Sequence, residues 1–408
     1  MFFQANDGTS GAELWASDGT VAGTSIVKDI NPGSGYSNPR DFYVFNGVLF
    51  FSATDGTNGN ELWKSDGTSG GTSMVKDISP GSSGGLPSGF SPWFTAFNGK
   101  VFFSAYDSTN GFELWYSDGT SGGTLMLDIR PGSGDANPRY LTVLNGVLFF
   151  SATQGSGYKL WRSDGTSGGT SIVPGGSSSQ TSLTALNGDL FFSATDGTTG
   201  FELWKFDGTS GGTSIVKDIR PGSGHSSPHA LAVLSGVLFF SATDGTNGDE
   251  LWRSDGTSGG TSMVKDINPV SDGSPYNFIV VNGVLFFRAS DGTNGVELWK
   301  SDGTSVGTSM VKDIWPGSGS AFPSQFAVFN GKLFFFANDG TNGYELWISD
   351  GTDGGTAMKM DFFPESGCNN FIGGLIPCGQ LYPSITAVNG KIFMPALTGS
   401  SGYELWSC

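Results

Sequence analysis

The feature that most constrains this chain is a tryptophan that returns with the same neighbours. The triplet Glu-Leu-Trp, or a close variant, places Trp15, Trp63, Trp115, Trp161, Trp204, Trp252, Trp299, Trp347 and Trp406 along 408 residues. The variant is Lys159-Leu160-Trp161. Successive spacings are 48, 52, 46, 43, 48, 47, 48 and 59 residues. A period of about 40–50 residues with strong strand signals is the mark of propeller blades.

One cycle shows the strands. Thr72 to Ile78 is β-branched and apolar, and a Pro-Gly-Ser loop follows it. Phe94 to Phe97 is the second strand, and Asn98-Gly99 is a strong signal for a two-residue hairpin turn. Val101 to Ala105 is the third strand, and Glu113 to Tyr116 the fourth. No stretch has helical periodicity over a useful length. The rival β-solenoid uses shorter coils and parallel strands and needs no Asn-Gly hairpin in each unit. The expected fold is therefore all-β: an eight-bladed β-propeller of four-stranded antiparallel blades, with an extra N-terminal β-hairpin. It is read as one domain over 1–408, with eight repeats over 24–406 and an extra half-blade at 1–16. In this phase the Lys-Asp-Ile strand is innermost and the tryptophan strand outermost. Either terminal hairpin, 2–15 or 391–406, completes the last sheet. The surplus one docks on an edge, continues a longer array, or is exchanged between subunits.

Composition agrees. The 66 glycines and 33 phenylalanines mean many tight turns between short, well-packed strands. The net charge of −17 argues against nucleic acid and against an anionic membrane surface. It leaves a cation, or a neutral ligand such as a glycan, and suits a solvated acidic surface. No apolar run reaches the length of a membrane span. The chain enters a strand directly at Phe2-Phe3-Gln4, so it is expected to be a mature form or a segment of a longer precursor. Cys368 and Cys378 bracket a short segment. A disulfide there implies an oxidising compartment, extracellular or at the cell surface, and leaves Cys408 over. The alternative is three free thiols.

Two resemblances follow from the motifs. After each Trp, Ser-Asp-Gly-Thr recurs at Asp18, Asp66, Asp118, Asp164, Asp255, Asp302 and Asp350, with Phe206-Asp207 as a variant. This resembles the bacterial ELWxxDGT repeat family over essentially the whole chain, and implies a secreted or surface protein without implying a mechanism. Ala53 to Trp63 reads Ala-x-Asp-x-x-x-Gly-x-Glu-x-Trp, and the pattern recurs at Ala194 to Trp204 and Ala242 to Trp252. It is similar to the tryptophan-docking motif of eight-bladed quinoprotein dehydrogenases. That resemblance implies an indole packed against the neighbouring blade. It does not bring the cofactor chemistry, because the chain has no adjacent cysteines and none of the cofactor residues is matched.

Candidate sites are few. Asp29, Asp77, Asp128, Asp218, Asp266 and Asp313 recur in the Lys-Asp-Ile element. On innermost strands they form a broken acidic ring that suits Ca²⁺; otherwise each caps its Pro-Gly turn and pairs with the preceding lysine. No other cofactor is implied. Trp93 and Trp315 depart from the repeat and are candidates to stack on a sugar, or else are local packing. His225 and His229 share one loop and read as exposed. The arginines occupy unequal repeat positions and do not support a sialidase-type cluster. Near-identical blades argue against a convergent catalytic site. The expectation is a non-enzymatic secreted or surface scaffold, binding a glycan, a protein or another copy of itself. The alternatives are a filament subunit formed by hairpin exchange and a carbohydrate-active or quinoprotein-like enzyme with an axial site.

Overall fold

The computed structural model describes residues 1–360, apart from 19, 21, 88, 175–177 and 210, together with the strand backbone at 386–388, 391–398 and 402–407. The fold is all-β, with no helix among the described residues, and is an eight-bladed β-propeller of antiparallel blades. Seven sheets have four strands, and a three-stranded sheet stands at each end of the chain.

The phase of the blade differs from the expectation. A representative sheet runs Arg40–Phe45, Val48–Ala53, Glu61–Ser65 and Ser73–Lys76, hydrogen-bonded in that order. The strand of Lys-Asp-Ile is therefore the last of its sheet, and the tryptophan strand is the third. The hairpin of residues 1–16 takes Ser25–Lys28 as its third strand. First strands of successive sheets lie beside one another, as those starting at His229, Tyr276 and Ser324 do. The inner side is thus built by the strand before the Asn-Gly turn. Five of these strands carry a register shift and a non-glycine residue with left-handed backbone: Asp41 (φ 57°), Tyr140 (φ 57°), Ala230 (φ 51°), Asn277 (φ 60°) and Gln325 (φ 55°). A bulge re-aims side chains and is favoured next to binding sites.

The chain divides into two units, one of 1–190 with 206–213 and the other of 191–205 with 214–408. Within each unit the cores lie between sheets, and each is shared in the same way. In the second, Leu251, Val264 and Ile267 of one sheet meet Leu285, Phe287, Ala289 and Trp299 of the next. In the first, Leu62, Val75 and Ile78 meet Val101, Phe103, Ala105 and Trp115. The third-strand Leu and fourth-strand Val and Ile of one sheet are thus covered by the second strand and the indole of its successor. Lysines add polar ties beside these cores. Lys76 Nζ donates to the carbonyl of Thr124 at 2.9 Å, and Lys265 Nζ to that of Thr308 at 2.8 Å.

Candidate functional site

The repeated motif is first of all structural. The indoles of Trp63, Trp115, Trp161, Trp204, Trp252, Trp299 and Trp347 are buried, and Trp15 is half-buried. Trp406 lies on a described strand, but its side chain is outside the described residues. The Nε1 of each of the other eight is buried without an acceptor among the described residues. The rings work by packing alone.

The glutamate of the triplet ties the third strand to the loop after the fourth. Glu61 accepts the N–H groups of Ile78 (2.8 Å), Ser79 (3.2 Å) and Gly85 (2.6 Å). Glu297 accepts those of Ile314 (2.9 Å), Trp315 (3.4 Å) and Ala321 (3.1 Å). Burial pushes Glu61, Glu202 and Glu250 up to about 7, and Glu113 and Glu297 up to about 8, against the pull of these amides. The Asp-Gly-Thr segment closes on itself. Asp302 Oδ1 accepts the N–H and Oγ1–H of Thr304, each at 2.8 Å, and the Oγ1 of Thr304 accepts the N–H of Gly307 at 2.9 Å. The Thr304 hydroxyl and amide hold the Asp302 carboxyl below its usual range.

The acidic ring does not form where it was expected. Asp29, Asp77, Asp128, Asp218, Asp266 and Asp313 follow outermost strands, because the fourth strand and not the first carries them. Asp313 Oδ2 accepts the N–H of Gly317 at 3.3 Å, and Asp29 Oδ2 that of Gly33 at 3.3 Å, so these cap the Pro-Gly turn. No group of three His, Cys, Asp or Glu side chains suited to a metal ion occurs among the described residues. Trp315 packs into the core between its sheet and the next, and the backbones of Gly319 and Gly340 lie against its indole so closely that a side chain at either would meet the ring. Trp93 instead lines a concavity on the inner side. Cys368, Cys378 and Cys408 fall outside the described residues.

What the sheets do not share lies in one layer. Three positions change from sheet to sheet. The first is the opening residue of the first strand: Arg40, Arg139, His229, Tyr276 or Ser324. The second is its partner on the second strand: Ser52, Ser151, Ser241, Arg288 or Phe336. The third precedes the triplet, whose first residue is the buried glutamate or, once, Lys159: Asn60, Phe112, Tyr158, Phe201, Asp249, Val296 or Tyr344. All three lie at the end of the sheet that carries the Asp-Gly-Thr-Asn-Gly turns. In the second unit they converge. His229 is not a free loop histidine: it opens its strand, and its Nε2 lies 3.5 Å from Asp249 Oδ2. Ser241 Oγ donates to Asp249 Oδ1 at 2.8 Å. Burial raises the pKa of Asp249, and His229 opposes the rise. The Tyr276 ring, 45% exposed, lies 6.1 Å from that of His229, and the Arg288 guanidinium sits over Tyr276 at 5.3 Å. Burial raises the pKa of Tyr344, and Arg288 opposes the rise. Arg288 thus stands over one phenol and acts electrostatically on a second, with no carboxylate partner among the described residues. His225, in the preceding loop, accepts the N–H of Phe201 through Nδ1 at 2.9 Å.

No family model and no curated protein matches the chain. Solved structures do. A puromycin hydrolase is 15% identical at a TM-score of 0.46, covering 95% of this chain and 61% of its own. A structure from a study of two prolyl endopeptidases is 13% identical at 0.47, covering 89% and 54%. The β-propeller domain of the trilobed protease from Pyrococcus furiosus is 12% identical at 0.42, covering 79% and 97%. The chain spans only about three fifths of the puromycin hydrolase and about half of the prolyl endopeptidase structure. Likeness at this level concerns the fold. The matching structures come from peptidases and so run against the expectation of a non-enzymatic scaffold, which is not carried forward. The sequence reading missed the cluster of His229, Asp249, Tyr276 and Arg288 because it weighed the shared positions of the repeat and not those that differ.

Proposed function

We propose that the chain is the substrate-engaging propeller of a peptidase-related enzyme, and that it takes a peptide by its terminal carboxylate at Arg288. The observation that supports this most is the guanidinium itself, held over Tyr276 and near Tyr344, with no carboxylate partner among the described residues. A planar guanidinium so placed suits a carboxylate, which it binds through two parallel N–H···O bonds. Tyr276 offers an apolar face to a neighbouring side chain, and the His229–Asp249 pair stands beside it as an acid–base group. The weight lies on this cluster and not on the fold likeness. A secreted or surface setting, and membership of the ELWxxDGT repeat family, belong to the same proposal.

Titration of the full chain with a short peptide bearing a free C-terminus, and with the amide of the same peptide, tests it. The free acid is expected to bind at least about tenfold more tightly, the worth of a charge-assisted bidentate pair. Arg288→Met is expected to abolish the preference while the circular dichroism stays unchanged. Equal affinity for acid and amide sinks the reading. Mass spectrometry of the same mixtures reads hydrolysis, and cleavage lost in His229→Gln places an acid–base step at that pair.

A further inference from the structure

The first unit holds a different kind of site. Its inner side has a concavity of about 290 Å³ lined by Asp41, Phe42, Tyr43, Trp93, Phe94 and Leu141 among others, residues brought together from three successive sheets. Two of them are held in left-handed backbone despite bulky or charged side chains, Asp41 at φ 57° and Trp93 at φ 59°. Such conformations cost free energy and persist where the surroundings fix them. The surroundings here are identifiable. The Trp93 ring packs at 4.7 Å on Tyr140, and the Tyr43 ring at 6.0 Å on Phe94. Tyr43 Oη accepts the N–H of Ala96 at 2.8 Å, which locks one wall to the next sheet. The walls are pre-formed.

Their chemistry selects the ligand. Four aromatic residues and a leucine line the concavity together with one carboxylate. Arg40 approaches that carboxylate along one edge at 3.5 Å, and its other end is tied to the carbonyl of Pro87 at 3.2 Å. The hydroxyl of Thr95 is already spent on the carbonyls of Trp93 and Leu141. The polar groups that remain are the hydroxyls of Ser91 and Tyr43 and the Asp41 carboxylate, fewer than a sugar engages, and a primary ammonium gives up strong hydration only for several acceptors. A quaternary ammonium has no N–H to satisfy and is attracted both to aromatic faces and to a carboxylate. The net charge of −17 adds long-range attraction for a cation.

We infer that this pocket binds a trimethylammonium group, with Trp93 and its neighbouring rings as the cage and Asp41 as the counter-charge. The inference stands apart from the peptide reading, which concerns other residues in the other unit.

Calorimetry and tryptophan fluorescence on the full chain test it with choline and with 3,3-dimethylbutan-1-ol, its uncharged isostere. Choline is expected to bind at least about tenfold more tightly than the isostere, as cation–π attraction in a desolvated cage requires. Asp41→Asn keeps a residue that tolerates positive φ, so the backbone is retained while the charge goes. It is expected to weaken choline by at least about fivefold and leave the isostere unchanged. Trp93→Leu is expected to weaken choline similarly while the peptide preference at Arg288 persists. Equal binding of choline and isostere, or no binding of choline at millimolar concentration, overturns the inference. So does tighter binding of methyl glucoside than of choline. Vesicles of phosphatidylcholine, run against phosphatidylglycerol, tell the source. Choline-inhibited capture on the former assigns a lipid headgroup, and choline binding without capture assigns the free cation.

Discussion

Trp299→Ala is expected to lower the free energy of unfolding by about 3–5 kcal/mol, the range for removing a large buried aromatic from a core. The indole is 5% exposed and fills the space between Leu251, Val264 and Ile267 of one sheet and Leu285, Phe287 and Ala289 of its own. Strands pinned by backbone hydrogen bonds do not collapse into the void, so the cavity persists and its cost is added to the lost transfer energy. Trp299→Phe is expected to cost much less. It keeps an aromatic plate and removes an N–H that has no acceptor among the described residues. Trp93→Ala, at the rim of an inter-sheet core where the ring is only half-buried, is expected to cost less than Trp299→Ala. Urea unfolding followed by both fluorescence and circular dichroism measures all three. A loss below about 1 kcal/mol for Trp299→Ala, with the two probes coincident, contradicts the packing described.

Raising the pH from 5 to 9 is expected to destabilise the fold, with the steepest loss as the buried glutamates of the triplet ionise. In the unfolded chain these groups release their protons near the ordinary value of 4.5, whereas in the fold Glu61, Glu202 and Glu250 hold them to about 7 and Glu113 and Glu297 to about 8. Between those values the folded state binds more protons than the unfolded one, so stability falls as pH rises. The turn aspartates act in the opposite sense and at lower pH. Asp66, Asp118, Asp255 and Asp302 lie below their usual 3.8, so their contribution is present above that value and lost as pH falls through their folded pKa. The optimum is therefore expected between about pH 4 and 5. Urea midpoints measured across this range read the effect. Glu297→Gln is expected to be less stable than the parent at pH 5, because one of the two accepting oxygens is gone, and to show a shallower slope toward pH 9. A parent whose stability climbs steadily from pH 5 to 9 refutes the assignment.

The architecture was legible because its signals are local or periodic. Asn98-Gly99 fixes a hairpin by backbone preference, and the recurrence of Trp fixes the blade length. The phase was not legible, because a repeat has no intrinsic beginning: Ser73–Lys76 opens or closes a four-strand cycle equally well on pattern alone. The decision rests on which strands of successive sheets approach, and thus on bulges at Asp41, Ala230 and Asn277 that no glycine announces. This displaced the aspartates of Lys-Asp-Ile to the outer edge and emptied the expected ring. His229 was read as part of one loop with His225, and its partner Asp249 lies twenty positions on. A signal existed even so: Asp249 occupies a column that also holds Asn60, Phe112, Tyr158, Val296 and Tyr344. In a chain this repetitive, the columns that refuse to repeat are those under a different demand.

Because each described core is closed by two successive sheets, neither of which owns it, the period has a genetic consequence. A duplication or deletion of one full repeat restores the same matched faces wherever in the cycle the breakpoint falls. Blade number is thus free to change by unequal exchange without baring new apolar surface. A breakpoint out of register by even one strand leaves an indole without the Leu, Val and Ile it covers.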